Sequence, residues 1–166
     1  MMYGAFSGLA SFLLAIILYM LNKNPLGPVS WLGFWIPILF LVIGIQHHRD
    51  KDLGGFISYG RGVGTGVLIT LFLSIVFCVL IYGFATFIGT DILEGFKQDT
   101  FEGLEKAKPY MGDTLYEQAV EETEKLTVGG MVLGEFQRKI LGGIIMSLII
   151  AAFMRKQKSI FDQPTE

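Results

Sequence analysis

The sequence is short of charge. Lysine, arginine, aspartate and glutamate make up 17% of its 166 residues, where a soluble globular chain carries about 25%. The deficit is concentrated: Tyr3–Leu21, Asn24–Gln46, Gly62–Gly89 and Ile140–Met154 hold no charged residue at all. There is one cysteine, Cys78, so an internal disulfide is excluded and the redox compartment is not indicated. Histidine is confined to the adjacent pair His47 and His48. That spacing excludes the helical i,i+4 zinc pair of an H-E-x-x-H motif.

What the chain has instead is hydrophobic length. Hydrophobic residues make up 52% of it, and uncharged runs of about 18 or more residues read as transmembrane helices. The first run is 19 residues and the third 28. The second has its apolar centre at Val29–Ile45. The fourth is only 15 residues, too short to cross at about 1.5 Å per residue. Val132, Leu133 and Phe136 extend it upstream, and Arg138 and Lys139 are expected to snorkel toward headgroups. The first run lacks a basic flank and an A-x-A site, so it reads as a retained helix rather than a signal peptide. The expected fold is all-α: an integral membrane four-helix bundle forming one domain over 1–166, with spans at about 3–21, 28–46, 62–89 and 132–154.

The links differ in size. Asn22–Pro28 is a short turn of Asn, Pro and Gly. Gln46–Arg61 is polar with a Gly-Gly break. Asp91–Gly130 carries ten acidic and four basic residues. Apolar spacing within it predicts two short amphipathic helices outside the membrane, over 91–108 and from Thr114, where Thr114-x-x-Glu117 has the form of a capping box. Pro109 separates them. Arg49, Lys51, Arg61, Arg155, Lys156 and Lys158 place the second link and both termini in the cytoplasm by the positive-inside rule, and the acidic insertion on the periplasmic side of a bacterial inner membrane.

Tyr59–Gly66 reads YGRGVGTG. No lysine follows for a P-loop, and no G-x-G-x-x-G register with a following βαβ unit exists, so nucleotide binding is excluded. Residues four apart share a helix face. The row Gly62, Gly66, Thr70, Ser74, Cys78 is a continuous small ridge. Ser7, Ser11 and Ala15, flanked by Gly4 and Gly8, repeat the device in the first span; Gly143, Ser147 and Ala151 repeat it in the fourth. In lipid, association rests on close backbone approach, so small residues mark contact faces. Spans one, three and four are expected to pack together. The second, bearing Trp31, Trp35 and a kinking Pro37, is expected to be the most lipid-exposed.

Reactive chemistry is sparse. The uncharged runs contain no ionisable residue for a proton or ion path, and the hydroxyls of Thr70 and Ser74 are expected to bond their own i−4 carbonyls. His47, His48 and Asp50 form the one cluster of ligand-type side chains, read as an interfacial anchor. The insertion lacks the calcium-loop pattern, and its acidity excludes nucleic acid as a partner. No metal or cofactor is expected.

The segments FISYGRGVGTGVLITLFLSIVF and ILGGIIMSLIIAAFMRK, joined by the acidic helical insertion, resemble the bacterial integral membrane family called domain of unknown function (DUF) 4199. The resemblance covers nearly the whole chain and implies a small four-helix membrane protein with no established activity. It supplies no functional residues. The expected role is non-enzymatic: a subunit or assembly partner of a membrane complex, in contact with lipid and with a protein partner or further copies of itself. The competing expectation is a small oligomeric transporter or channel using the ridge of the third helix. A lipid enzyme using His47 and Asp50 ranks last.

Overall fold

The computed structural model describes residues 1–156; Lys158 of the basic tail lies outside them. The chain is 83% helical, with six α-helices and no strands among the described residues. These are α1 Met2–Met20, α2 Trp35–His47, α3 Tyr59–Phe87, α4 Ile92–Ala107, α5 Asp113–Glu124 and α6 Val128–Met154. Four helical segments, containing α1, α2, α3 and α6, are long and apolar enough to cross a membrane.

The glycines set the helix order. A Cβ added at Gly4 would lie 2.8 Å from Phe72 Cβ, and one at Gly8 2.8 Å from the Leu73 carbonyl oxygen, so α1 and α3 run side by side in one direction. A Cβ at Gly62 would meet Ala151 at 3.0 Å, one at Gly66 would meet Ser147 Cβ at 2.7 Å, and one at Gly143 would meet Thr70 Cβ at 2.8 Å. The descending partner numbers make α6 antiparallel to α3. The expected ridge is thus a real contact face. Its geometry differs from a three-way cluster, because α3 stands between α1 and α6 and those two form no packed seam with each other. On α1 it is Gly4 and Gly8 that admit α3 closely, while Ser7, Ser11 and Ala15 are buried beside them. Gly60 and Gly64 meet nothing within 4 Å.

The second span is not one helix over 28–46. Pro28–Gly33 is a 3₁₀ turn, α2 begins at Trp35, and a π-turn over His48–Asp52 ends it. Pro37 does not kink α2. It sits in the first turn, where its missing N–H has no intrahelical partner to lose. Nor is this segment the most exposed: 22% of its apolar window is buried, against 17% for α6. Trp31 and Trp35 do face outward.

Two apolar clusters hold the bundle. Ala15, Leu26, Phe77, Ile81, Ile92 and Met131 form one, at the end nearer the insertion. Leu41, Ile45, Ile57, Ile69 and Ile150 form the other. At this second end Arg49 reaches the Met154 carbonyl at 3.5 Å. Ile57 and Lys156 exchange backbone hydrogen bonds of 2.9 and 3.0 Å there.

The insertion folds as the expected helical hairpin, with Lys108–Tyr110 as a 3₁₀ turn at its tip. The expected capping box does not form. Gly112 occupies the N-cap in an extended conformation, no side-chain cap bond is made, and Thr114 falls inside the first turn of α5. Tyr19 OH donates to Asp91 at 2.9 Å, and Asn24 Nδ2 to Asp99 at 2.8 Å. Lys97 Nζ donates to the Glu124 carbonyl at 3.0 Å, tying the two arms together.

Candidate functional site

The 3₁₀ break before α2 has a structural consequence. Gly33 packs on Leu14, about two thirds of the way along α1. Beyond that level the fourth corner of the bundle has no long helix. A cavity of about 620 Å³ straddles that level. Ser11, Leu14 and Ala15 of α1 line it, with Pro37 and Leu41 of α2 and Thr70, Leu73 and Phe77 of α3. Trp31 and Phe34 of the break form one side, and Glu135, Arg138, Lys139, Gly142 and Gly143 of α6 form another.

Glu135, Arg138 and Lys139 sit at i, i+3 and i+4, one face of a helix. Glu135 is 7% exposed. Its Oε2 accepts from Arg138 Nη2, and its Oε1 lies 3.1 Å from Lys139 Nζ. Lys139 Nζ also stands 4.0 Å from the centroid of the Phe77 ring, a cation–π distance. Glu135 thus pairs with both cations of its own helix. Lys139 does not snorkel as expected: its ammonium turns into the bundle, over the Phe77 ring.

The depth of this triad is set by α3. Phe77 is ten residues from the C-terminal end of α3, about 15 Å along the axis. The triad lies at that level of α3, outside the uncharged run that begins at Ile140. Because α6 is continuous from Val128 to Met154, the three charges lie well inside a helix long enough to cross.

The ridge residues are distributed along the α3–α6 seam. Gly62 and Gly66 are filled by Ala151 and Ser147. Ser147 Oγ donates to the Gly143 carbonyl at 2.6 Å. Cys78 Sγ is 3.8 Å from the Val132 carbonyl oxygen. The hydroxyls of Ser7, Ser11, Thr70 and Ser74 are buried with no hydrogen-bond partner among the described residues. Thr70 and Ser74 thus lack the expected i−4 bonds, which Thr65 and Thr86 do make, at 2.8 and 2.7 Å. Ser11 and Thr70 belong to the cavity wall.

The structure disperses the histidine cluster. His47 packs on the Tyr3 ring at 5.4 Å. His48 Nδ1 pairs with Asp52 at 2.7 Å, and Asp50 pairs with Arg49 at 2.6 Å. No three metal-ligating groups converge among the described residues.

A bundle closed by small-residue contacts, with helices long and apolar enough to cross a bilayer, defines an all-α membrane protein. The chain belongs to the family described as protein of unknown function (DUF4199), which matches residues 2–156. No curated protein and no solved structure matches it.

Proposed function

We propose that the protein is a non-enzymatic component of a bacterial inner membrane, working as a subunit or assembly partner of a larger membrane complex. The supporting observation is the α4–α5 hairpin. Ile92 is buried and Asp99 is held by Asn24, so its base is anchored to the bundle. Beyond that base Glu102, Glu105, Asp113, Glu117, Glu121, Glu122 and Glu124 are exposed, beside exposed Tyr110 and Leu115. An anchored acidic arm with an apolar tip suits a partner with a basic surface, whose charge steers association. In this reading the termini are cytoplasmic and the hairpin periplasmic, by the positive-inside rule.

Crosslinking in native membranes followed by mass spectrometry tests the role. A stoichiometric partner, lost when Glu117, Glu121 and Glu122 are changed to Gln, is the expected result; recovery of self-crosslinks alone contradicts it. Sidedness is read by labelling a cysteine at position 114 in a Cys78→Ala background, from outside intact cells. Protection there reverses the orientation.

A small oligomeric transporter or channel is the second reading. The observation favouring it is the cavity beside Thr70, with an ion triad at mid-helix depth, where transport paths keep their charged groups. The Gly62–Gly66 end of the ridge is filled by α6 and offers such a path no room. Flux through proteoliposomes that is abolished by Lys139→Met in a correctly assembled protein would establish this reading over the first.

A further inference from the structure

We propose that the bundle cavity is a binding site for one single-chain anionic amphiphile, its carboxylate or phosphate head held by Lys139 and Arg138 and its chain lying along the apolar walls. The charged residues lining the cavity are two cations and one acid. That leaves one positive charge in excess inside a helix long enough to cross a membrane, where unbalanced charge is expensive. Donor capacity is also in excess. Glu135 is engaged on both oxygens, whereas an ammonium carries three N–H groups and a guanidinium five. An anion entering here meets free donors and restores neutrality.

Two further observations point the same way. The wall away from the charges is largely aliphatic and aromatic, as a chain requires. The volume of about 620 Å³ falls in the range of sites for one small ligand, about 300–1,000 Å³, which favours one acyl chain over a two-chain lipid. The helix break over Pro28–Gly33 forms one side of the cavity and is where the wall is not a long helix.

Equilibrium binding to the purified full chain in phosphatidylcholine nanodiscs tests this, with labelled oleate, 1-oleoyl lysophosphatidate and monooleoylglycerol as probes. One or both anionic probes are expected to bind saturably at one per chain, with the neutral glyceride at least tenfold weaker. Binding of oleate alone identifies a carboxylate site, and of lysophosphatidate alone a phosphate site. Arg138→Gln should weaken binding at least tenfold. Because that change also disturbs the Glu135 pair, Gly142→Phe is the second variant. Gly142 lines the cavity, and a Cβ there meets nothing within 4 Å, so the ring has room to begin filling the site and should abolish saturable binding. Gly64→Phe, on open helix surface, should leave it intact. Equal affinity for the neutral glyceride, non-saturable partitioning alone, or unchanged binding in Gly142→Phe would overturn the proposal.

Discussion

Gly66 on α3 and Ser147 on α6 approach so closely that a methyl group at Gly66 would lie 2.7 Å from Ser147 Cβ. No rotamer of a larger residue relieves that, because the contact begins at Cβ. Gly66→Val should therefore separate the helices and destabilise the bundle by about 1–3 kcal/mol, the usual effect of overpacking. Gly64 is two residues away on a face with nothing within 4 Å, and Gly64→Val should leave the melting temperature nearly unchanged. Thermal unfolding in detergent, followed by circular dichroism, compares the two. Equal losses would mean that helix propensity, and not the seam, is being measured.

The same seam shows what was legible in the sequence. Small residues four apart identify contact faces because only they allow backbones to approach, and Gly62, Gly66, Gly143, Ser147 and Ala151 all lie where that rule puts them. What the rule lacks is a third dimension. It marks faces without pairing them, so it could not show that α3 separates α1 from α6. The second span was misjudged for another reason. Its hydrophobicity is continuous, while its backbone is broken between Gly33 and Trp35, and hydropathy does not register helix breaks. Glu135, Arg138 and Lys139 were placed inside the fourth span at 132–154, but spacing along one helix does not tell which way a long side chain turns, so Lys139 was expected to snorkel outward.

The ion triad yields a sharper test than the seam. Glu135 is 7% exposed and shares its carboxylate between Arg138 and Lys139. Lys139→Met removes the inward partner and leaves Glu135 to Arg138 alone, on the exposed side. Breaking a buried pair by removing one member costs about 3–5 kcal/mol. The double change Glu135→Gln with Lys139→Met should recover much of that loss, since the stranded carboxylate is gone as well. A double-mutant cycle measures the coupling. If the two losses simply add, the pair does not act as a unit.

The hairpin's anchor is equally local. Asn24 donates to Asp99 at 2.8 Å and accepts from the Leu26 backbone at 3.1 Å. Asn24→Ala removes both bonds, at about 1 kcal/mol each. The expected outcome is faster amide hydrogen exchange along α4, with α3 and α6 unchanged. Exchange that rises uniformly through the bundle would show that Asn24 supports the whole fold and does not serve only as a latch.

Tyr116 provides a pH-dependent reading of the hairpin itself. Its hydroxyl donates to Glu105 across the α4–α5 turn. The hydrogen bond to Glu105 is the main cause of a phenol pKa raised above its ordinary 10.0, with desolvation and the carboxylate's charge adding to it. The folded value exceeds the unfolded one. The contribution to stability is therefore whole below about pH 10 and is lost as the pH rises through the folded value. The tyrosinate absorbance difference between the natural chain and Tyr116→Phe should titrate above pH 10, and in a Glu105→Gln background the same difference should move down toward the ordinary value. A difference curve that stays in place without Glu105 would show that the carboxylate does not set it, and that the α4–α5 contact is not formed through this pair.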